Sequence, residues 1–434
     1  MDPTAALAAA LADAPPGPLC IGYSGGLDST VLLHACAAQA VLRGQGLRAL
    51  HVDHGLQPQS ADWAAHCQRR CAELGVALTV LQVCVARDGG RGLEAAAREA
   101  RHAAFAQELA AGETLVLAHH RDDQAETVLL RLLRASGSAG LAGMAALRRF
   151  GGGQLWRPLL ALPRATLEAY ARAHGLDWID DPSNADPRHD RNLLRHAVLP
   201  VLRERWPGAD AALARSARLL REDAERLERL DRLQLAAVQG LDPSVLSVSG
   251  LLALDGASRR GVVRLWLREL GLPAPPAAVI DRVDRLLDAR ADATPLLAWP
   301  GAELRRYRDG LHAMAPLAPP ARDWSRHWDG STPLALPSGF GILELAGDAL
   351  RFDPPLLVAP RRGGERLRLP GRSHHTPLKD ALQQLGVPPW LRERLPLLHA
   401  TDGTLLAAGD LVLADAWHAH ANGRQLRWTA DASA

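Results

Sequence analysis

The chain contains a single lysine, Lys379; the rest of its 50 Lys and Arg residues are arginine. With alanine, glycine and proline also abundant, this reads as a coding-composition bias. Arginine content alone therefore says little about function, and only local clustering carries an argument. No C-x-x-C pair occurs. The five cysteines, Cys20, Cys36, Cys67, Cys71 and Cys84, all lie in the first quarter of the chain. Cys67 and Cys71 sit one helical turn apart, and no further Cys/His pair at metal spacing accompanies them. Packed free thiols are expected rather than a metal site or a catalytic cysteine. No apolar run is long enough to span a membrane, and the acidic, alanine-rich start MDPTAALAAALADAPPGP lacks the basic region of a signal peptide. A short helix, a Pro/Gly linker and a cytoplasmic location are expected. Both common nucleotide fingerprints, G-x-x-x-x-G-K-[ST] and G-x-G-x-x-G, are missing. A net charge of only +2 excludes attraction of the whole molecule to nucleic acid.

What is present is enough for several cores. A chain of 434 residues with 47% hydrophobic and 23% charged content reads as a globular protein of two or three domains. From Leu19 to about Leu160, strand-like runs (Leu19–Tyr23, Leu47–Val52, Ala77–Val83, Thr114–Ala118) alternate with amphipathic helices (Ser60–Leu74, Leu93–Ala110, Asp122–Arg134). Repeated βα units predict a doubly wound α/β fold with a mainly parallel sheet and ligands at the carboxyl ends of the strands. Arg203 to Val238 reads as one long helix, with Leu213, Leu220, Leu227, Leu230 and Leu233 along a face. It leads into a helical domain, and after Pro316–Pro320 short strand-like pieces such as GILEL and ALRF open a small α+β domain. The expected boundaries are 1–205, 206–320 and 350–425.

The polar motifs fall at the predicted strand ends. Between the first strand and its helix stands SGGLDS, Ser24 to Ser29. Gly25 and Gly26 let the backbone approach a ligand, and the helix start favours an anion. The carboxylate of Asp28 beside such a cradle makes sense if a divalent cation lies between; a plain βα turn is the alternative. The second strand ends in LHVDHGLQPQS, which offers His51, Asp53 and His54 for nucleotide contact or, less fittingly, zinc. GLEAAAREARHAAF aligns Glu94, Arg98 and Arg101 on one helical face, either as a salt-bridged surface or as a source of positive charge for a phosphate-transferring step. The fourth strand runs into LAHHRDDQAETVLLRLLR, where His119, His120, Asp122, Asp123 and Glu126 crowd a helix start. Such acids complement the helix dipole, or they hold magnesium or receive a proton. The four strand ends together favour an ATP-type site.

In that order, SGGLDS, HVDHGL, GLEAAAREAR and AHHRDDQAET resemble the PP-loop ATP pyrophosphatases. LAGM, RPLL and WIDDPSNADPRHDRNLLRHAVLP, with RRGGERLRLPGRSHHTPLKDALQQLGVPPWLRERLPLL near the C-terminus, narrow the resemblance to the tRNA(Ile)-lysidine synthase family. The resemblance implies that ATP adenylates the C2 oxygen of the wobble cytidine in an isoleucine tRNA with a CAU anticodon, releasing pyrophosphate. The ε-amine of L-lysine then attacks C2 and expels AMP. It further implies that Ser24, Gly25, Gly26, Leu27, Asp28 and Ser29 hold the phosphates, with His51, Asp53 and His119 at the nucleotide. Asp28 and Asp123 would face magnesium, Arg98 would stabilise phosphate charge, and Glu126 would meet lysine or take its proton.

Arg191, Asn192, Arg195 and His196, following Arg188, form a basic stretch suited either to tRNA or to a capped surface helix. Arg361 to Leu395 carries eight Lys/Arg against three acids, a local 8 − 3 = +5, and makes Arg361, Arg362 and Lys379 candidates for tracking tRNA phosphates. A homodimer is left open. A tRNA thiolase would need a sulfur carrier and a suitable cysteine pair. An amidating synthetase would need an ammonia source, and a mere tRNA binder would not need so many acids beside a phosphate loop.

Overall fold

The apolar runs become neighbouring strands because each is short and has an apolar layer waiting on both faces. A computed structural model describes residues 2–55, 59–84, 93–182, 186, 188–290, 293–346, 351–421 and 424–430, without the side chains of 93–95. Gly92, the Glu94 side chain, Leu56–Pro58 after HVDHG, Ser183 and Asn184 of DDPSN, and the first half of ALRF lie outside the described residues. The chain forms two units, Met1–Arg226 and Leu227–Ala434.

The N-terminal unit is built on six strands: β1 (Leu19–Gly22), β2 (Leu47–Asp53), β3 (Ala77–Gln82), β4 (Thr114–Val116), β5 (Leu147–Phe150) and β6 (Gly153–Trp156). They run in the order β3-β2-β1-β4-β6-β5, with only β5 antiparallel. The alternation of a strand's side chains shows in β1. Ile21 packs with Leu7, Leu32, Leu33 and Leu167 on one face, while Cys20 packs with Leu50, Phe105, Leu115 and Leu155 on the other. A Cβ on Gly22 would lie 2.5 Å from Leu117 Cδ2, so any larger residue there would push that side chain aside. Four of the cysteines are buried and free, and burial pushes the thiols of Cys20, Cys36 and Cys67 up to about 12. As expected, they are packing groups.

The helices of this unit are α1 (Pro3–Leu11), α2 (Leu27–Ala38), α3 (Ala40–Gly44), α4 (Ser60–Glu73), α5 (Leu93–Glu108), α6 (Arg121–Leu132), α7 (Ser138–Leu141), α8 (Arg164–Ala173), α9 (Asp190–Leu193) and α10 (Leu199–Arg205). Between α9 and α10 the chain makes a π turn at Leu194–Val198. The long helix, α11 (Ala209–Val238), begins six residues later than the leucine pattern suggests. Pro207, which cannot donate to a helix, and Gly208 separate it from α10. Leu227, Leu230 and Leu233 are 52%, 46% and 73% exposed, so the leucine face is not a buried one along its length.

In the second unit, four helices between Val248 and Leu287 cover an antiparallel sheet that the helical pattern does not announce. Its strands are β7 (Val245–Ser247), β8 (Leu296–Trp299), β9 (Ala302–Tyr307) and β10 (Gly310–Met314), in the order β7-β10-β9-β8. Trp266, Leu304 and Leu311 are buried between the layers. Beyond Pro320 follow a five-stranded sheet, a three-stranded sheet and a two-stranded hairpin, Arg366–Arg368 with His375–Pro377. GILEL is a strand at Ile342–Ala346, whereas Arg351 and Phe352 of ALRF are not in one.

Candidate active site

In the N-terminal sheet, the strands flanking β1 are β2 on one side and β4 on the other, and ligands of such sheets bind where the winding changes direction. The loops after β1 and β4 meet at that point. Gly25 takes φ +81°, and a Cβ on it would come within 2.6 Å of Ile179 and 2.9 Å of Cys67 Sγ. No other residue can turn the chain there. Ser29 Oγ donates to the Gly26 carbonyl at 3.0 Å and lies 3.0 Å from Ser24 Oγ, while Thr30 Oγ1 donates to the Gly25 carbonyl at 3.2 Å. These bonds shape the turn without stoppering the helix. Gly26 caps α2 with no side-chain hydrogen bond, so the first N–H groups of a twelve-residue helix keep their capacity to bind an anion.

His120 ties the second loop to the first. It is fully buried, caps α6, and places Nε2 3.5 Å from Asp28 Oδ2 and 3.4 Å from Asp123 Oδ2, with Nδ1 3.6 Å from Asp122 Oδ2. Burial alone would lower its pKa, but hydrogen bonds to Asp122 and Asp28 and the charge of Asp123 outweigh it and raise it to about 10. The Asp123 N–H also points at Nδ1, at 3.4 Å. The surrounding carboxylates favour a charged ring, whereas the capping bond uses Nδ1 as an acceptor.

His119, one residue earlier, has the opposite state. Burial, then Arg157, Arg191, Arg98 and Arg101, hold its pKa well below 6.5. Its Nδ1 accepts from Arg157 Nε at 3.2 Å, which leaves a hydrogen on Nε2. Arg157 is itself only 4% exposed, and burial together with Arg148 and Arg98 lowers its pKa to about 10. At the end of β2, the buried His51 donates from Nδ1 to the Tyr23 carbonyl at 2.9 Å, so it braces the β1 loop. Asp53 Oδ1 accepts from Gly55 N at 2.9 Å and closes its own turn.

The basic stretch after DDPSN is placed differently from a tRNA-facing surface. Arg191 Nε donates to Glu126 Oε2 at 2.6 Å and Arg195 Nε to Glu126 Oε1 at 2.7 Å. Both guanidiniums also reach Asp123 Oδ1, at 3.2 Å. The α9 and π-turn spacing puts Arg191 and Arg195 on one side of the chain, facing α6. Asn192 is buried and donates to the Asp186 carbonyl at 2.9 Å. The sequence pattern shows basic residues but not the buried carboxylates that turn them inward. Both oxygens of Glu126 are occupied, so in this arrangement neither is open to an incoming proton.

A cavity of about 590 Å³ opens beside the start of α6, with Asp122 in its lining. Glu126, Arg195, His196 and Arg203 line it, together with an acidic wall of Asp180 and Asp181. Ile179 N donates to the Gly25 carbonyl at 2.9 Å and so fastens that acidic wall to the turn. Arg203 bridges Asp122 at 2.8 Å and Asp210 at 2.6 Å. For a cation the fitting feature is Asp28, whose Oδ1 is buried without a hydrogen-bond partner. The oxygens of Asp123 are engaged by Arg191, Arg195 and the His120 N–H. Among the described residues no group of three or more His, Cys, Asp or Glu is placed to hold a metal.

In the C-terminal unit, Arg361 is paired with Glu365 at 3.2 Å, while Arg362 and Lys379 are exposed. Arg157, which RPLL places just after β6, and the capping role of His120 emerge only in the folded chain. The strand-end position of RPLL is the one signal that marked Arg157.

Comparison with known proteins decides the family. Residues 3–202 match the family described as PP-loop domain, 246–312 the TilS substrate binding domain and 356–428 the TilS substrate C-terminal domain. The chain is 51% identical to tRNA(Ile)-lysidine synthase of Xanthomonas axonopodis pv. citri, covering 97% of this chain and 96% of that protein. The chain belongs to the tRNA(Ile)-lysidine synthase family. Members from Xanthomonas campestris pv. campestris, 50% identical over 97% of each chain, and Xylella fastidiosa, 48% identical over 95% of each, are similar as well. A U34-tRNA thiolase structure from Methanococcus maripaludis overlaps 50% of this chain and 78% of its own, with TM-score 0.41 and 18% identity. As a family member the chain is an ATP-dependent ligase, with its PP-loop in the N-terminal unit.

Proposed function

We propose that the junction of the β1 and β4 loops activates the wobble cytidine of isoleucine tRNA, and that the adjoining cavity presents L-lysine to the activated base. Lysidine formation on isoleucine tRNA, driven by ATP, is the function of this chain. The observation that carries the site assignment is the uncapped start of α2 beside the orphaned Asp28 oxygen. The backbone of Gly26 to Ser29 holds phosphate oxygens, and Asp28 would hold magnesium, with Asp123 as a second, more encumbered ligand. Bound there, the ion would neutralise phosphate charge and ease departure of pyrophosphate.

Arg98 and Arg157 meet the charge that develops as the cytidine C2 oxygen bonds to the α-phosphorus. His119 donates through Nε2, and His51 and Asp53 keep the neighbouring turns in place. Glu126 and Asp123 anchor Arg191 and Arg195, and Arg195 with Glu126 forms a wall of the lysine cavity. That wall, with Asp180 and Asp181 in the same lining, offers partners for both the carboxylate and the ammonium groups of lysine. The ε-ammonium must lose a proton before nitrogen attacks C2 and AMP departs. Arg362 and Lys379 track tRNA phosphates, and His196 sits where tRNA or lysine enters.

A cytoplasmic location, beside the tRNA, goes with this reading; no helix among the described residues is long and apolar enough to cross a membrane. A homodimer would cover the exposed Leu227, Leu230 and Leu233, and sedimentation of the pure chain tests it. The deciding experiment is incubation with ATP, magnesium, radiolabelled lysine and unmodified isoleucine tRNA, followed by digestion to nucleosides. Label is expected at the wobble cytidine. Its absence, or equal labelling of methionine tRNA, would count against the reading.

A further inference from the structure

The C-terminal unit holds a cleft of about 300 Å³ that none of these roles uses. Three guanidiniums line it, those of Arg305, Arg322 and Arg394, with Trp390 beside them and Glu393 as the acidic residue among the described lining. Arg394 sets its chemistry. That residue is only 6% exposed; Nη1 donates to the Trp390 carbonyl at 3.1 Å and Nη2 to the Ala318 carbonyl. Its Nε is buried without any hydrogen-bond partner, and no ion pair to it occurs among the described residues. Carbonyls satisfy N–H groups but neutralise no charge, and a buried charge is ordinarily paired.

The surroundings cancel only part of this positive charge, through Glu303 on Arg305 and Glu393 in the lining. Arg305 donates from Nε to Glu303 at 2.8 Å and lies over the Trp390 ring, 5.4 Å from its centroid. Gly339 puts no side chain against Arg394 Nε, where even a Cβ would stand 3.7 Å away. Pro319 and Pro320 supply no backbone N–H, so recognition falls to the guanidiniums. Ala318, Pro319 and Arg322 are exposed, so the cleft opens to solvent. Burial, then Arg305, pulls the Arg394 pKa down against the weaker opposing charges of Glu393 and Glu303.

We propose that this cleft is an anion site that takes a phosphate group of the RNA backbone. The anion site stands by itself; the RNA as its source rests on the tRNA reading above. The first test is thermal unfolding of the full chain in inorganic phosphate against sodium chloride at matched ionic strength. Phosphate should raise the midpoint more in the unsubstituted chain than in Arg394→Gln or Arg322→Gln. The comparison between chains removes both the general stabilising effect of phosphate and its binding at the ATP site. Arg322 is exposed, so Arg322→Gln keeps the test valid should Arg394→Gln fail to fold. An equal rise in the unsubstituted chain and Arg322→Gln overturns the site.

The second test is isoleucine tRNA binding across a salt series. Arg322→Gln should weaken it by about three- to tenfold and make the log–log salt slope shallower by up to about 0.9. Unchanged affinity and slope, with the phosphate difference intact, would overturn the RNA assignment. Loss of lysidine formation in the unsubstituted chain would instead strike the catalytic reading, which neither binding test reads.

Discussion

At its site and beneath its sheet, the N-terminal unit sets arginines against buried acids distant in sequence: Arg191 and Arg195 on Glu126, and Arg48 on Glu113. The basic segment of the C-terminal unit mostly meets backbone carbonyls or exposed acids. Arg366 donates to the His375 carbonyl, Arg392 to the Val387 carbonyl, and Arg368 pairs with the 42%-exposed Asp415; Arg361 with Glu365 is the exception. Similar residue types thus do different work. Where the partner is a buried carboxylate, the pair fixes geometry for chemistry and is costly to break. Where it is a carbonyl or a solvated acid, positive charge is left over for an external polyanion.

The strongest way to break this comparison is Asp28→Ala. It should cut ATP-dependent pyrophosphate release by about 10²- to 10³-fold while leaving tRNA affinity within about twofold. Equal loss of both, measured by pyrophosphate release and filter binding, would mean the two units do not divide the work. Next is stability. Glu126→Ala leaves two guanidiniums without their buried partner and should lower unfolding free energy by about 3–5 kcal/mol in urea titrations. Arg368→Ala, at the solvated Asp415 pair, should lower it by less than about 1 kcal/mol. Comparable losses would erase the distinction.

A smaller effect is expected in acid. Burial, with Arg98, Arg101, Arg148 and Arg157 around the ring, lowers the His102 pKa from 6.5 to about 4. Between those values the folded chain binds fewer protons than the unfolded one. The stability present above pH 6.5 is therefore lost as pH falls through that window. His102→Gln should flatten this part of the melting-temperature profile; an unchanged slope would remove His102 as its source. The smallest effect belongs to Arg362→Ala and Lys379→Ala. Each should weaken tRNA binding about two- to threefold and reduce its salt dependence, with pyrophosphate release unaffected at saturating tRNA. If Arg361→Ala changed the salt dependence as much, pairing with Glu365 would not be what sets the two arginines apart.

Much of the N-terminal architecture was legible from local pattern. The four predicted strands lie within a residue or two of β1 to β4, because short apolar runs before glycine or polar turns have few other ways to bury themselves. The hairpin of β5 and β6 and the sheet β7-β10-β9-β8 were not. Their strands are three to six residues long, and LRRF and AELRRY carry arginines that hide the alternation. The site was legible as a set of motifs and partly misplaced as a set of contacts. Nothing local to RNLLRH reveals that Glu126, more than sixty residues earlier, will face it.

What the sequence by itself determined is the βα alternation, the glycine turn of SGGLDS with its acid, and the motif order that names the family. These depend on residue types at short spacing, and local backbone physics reads them directly. Tertiary structure alone decided the raised pKa of His120, the lowered pKa of His119, the inward turn of Arg191 and Arg195, and the unpaired Arg394. Each of these depends on burial and on a partner brought close by folding. Neither the dielectric around a charge nor the neighbour across a strand end is encoded by position in the chain.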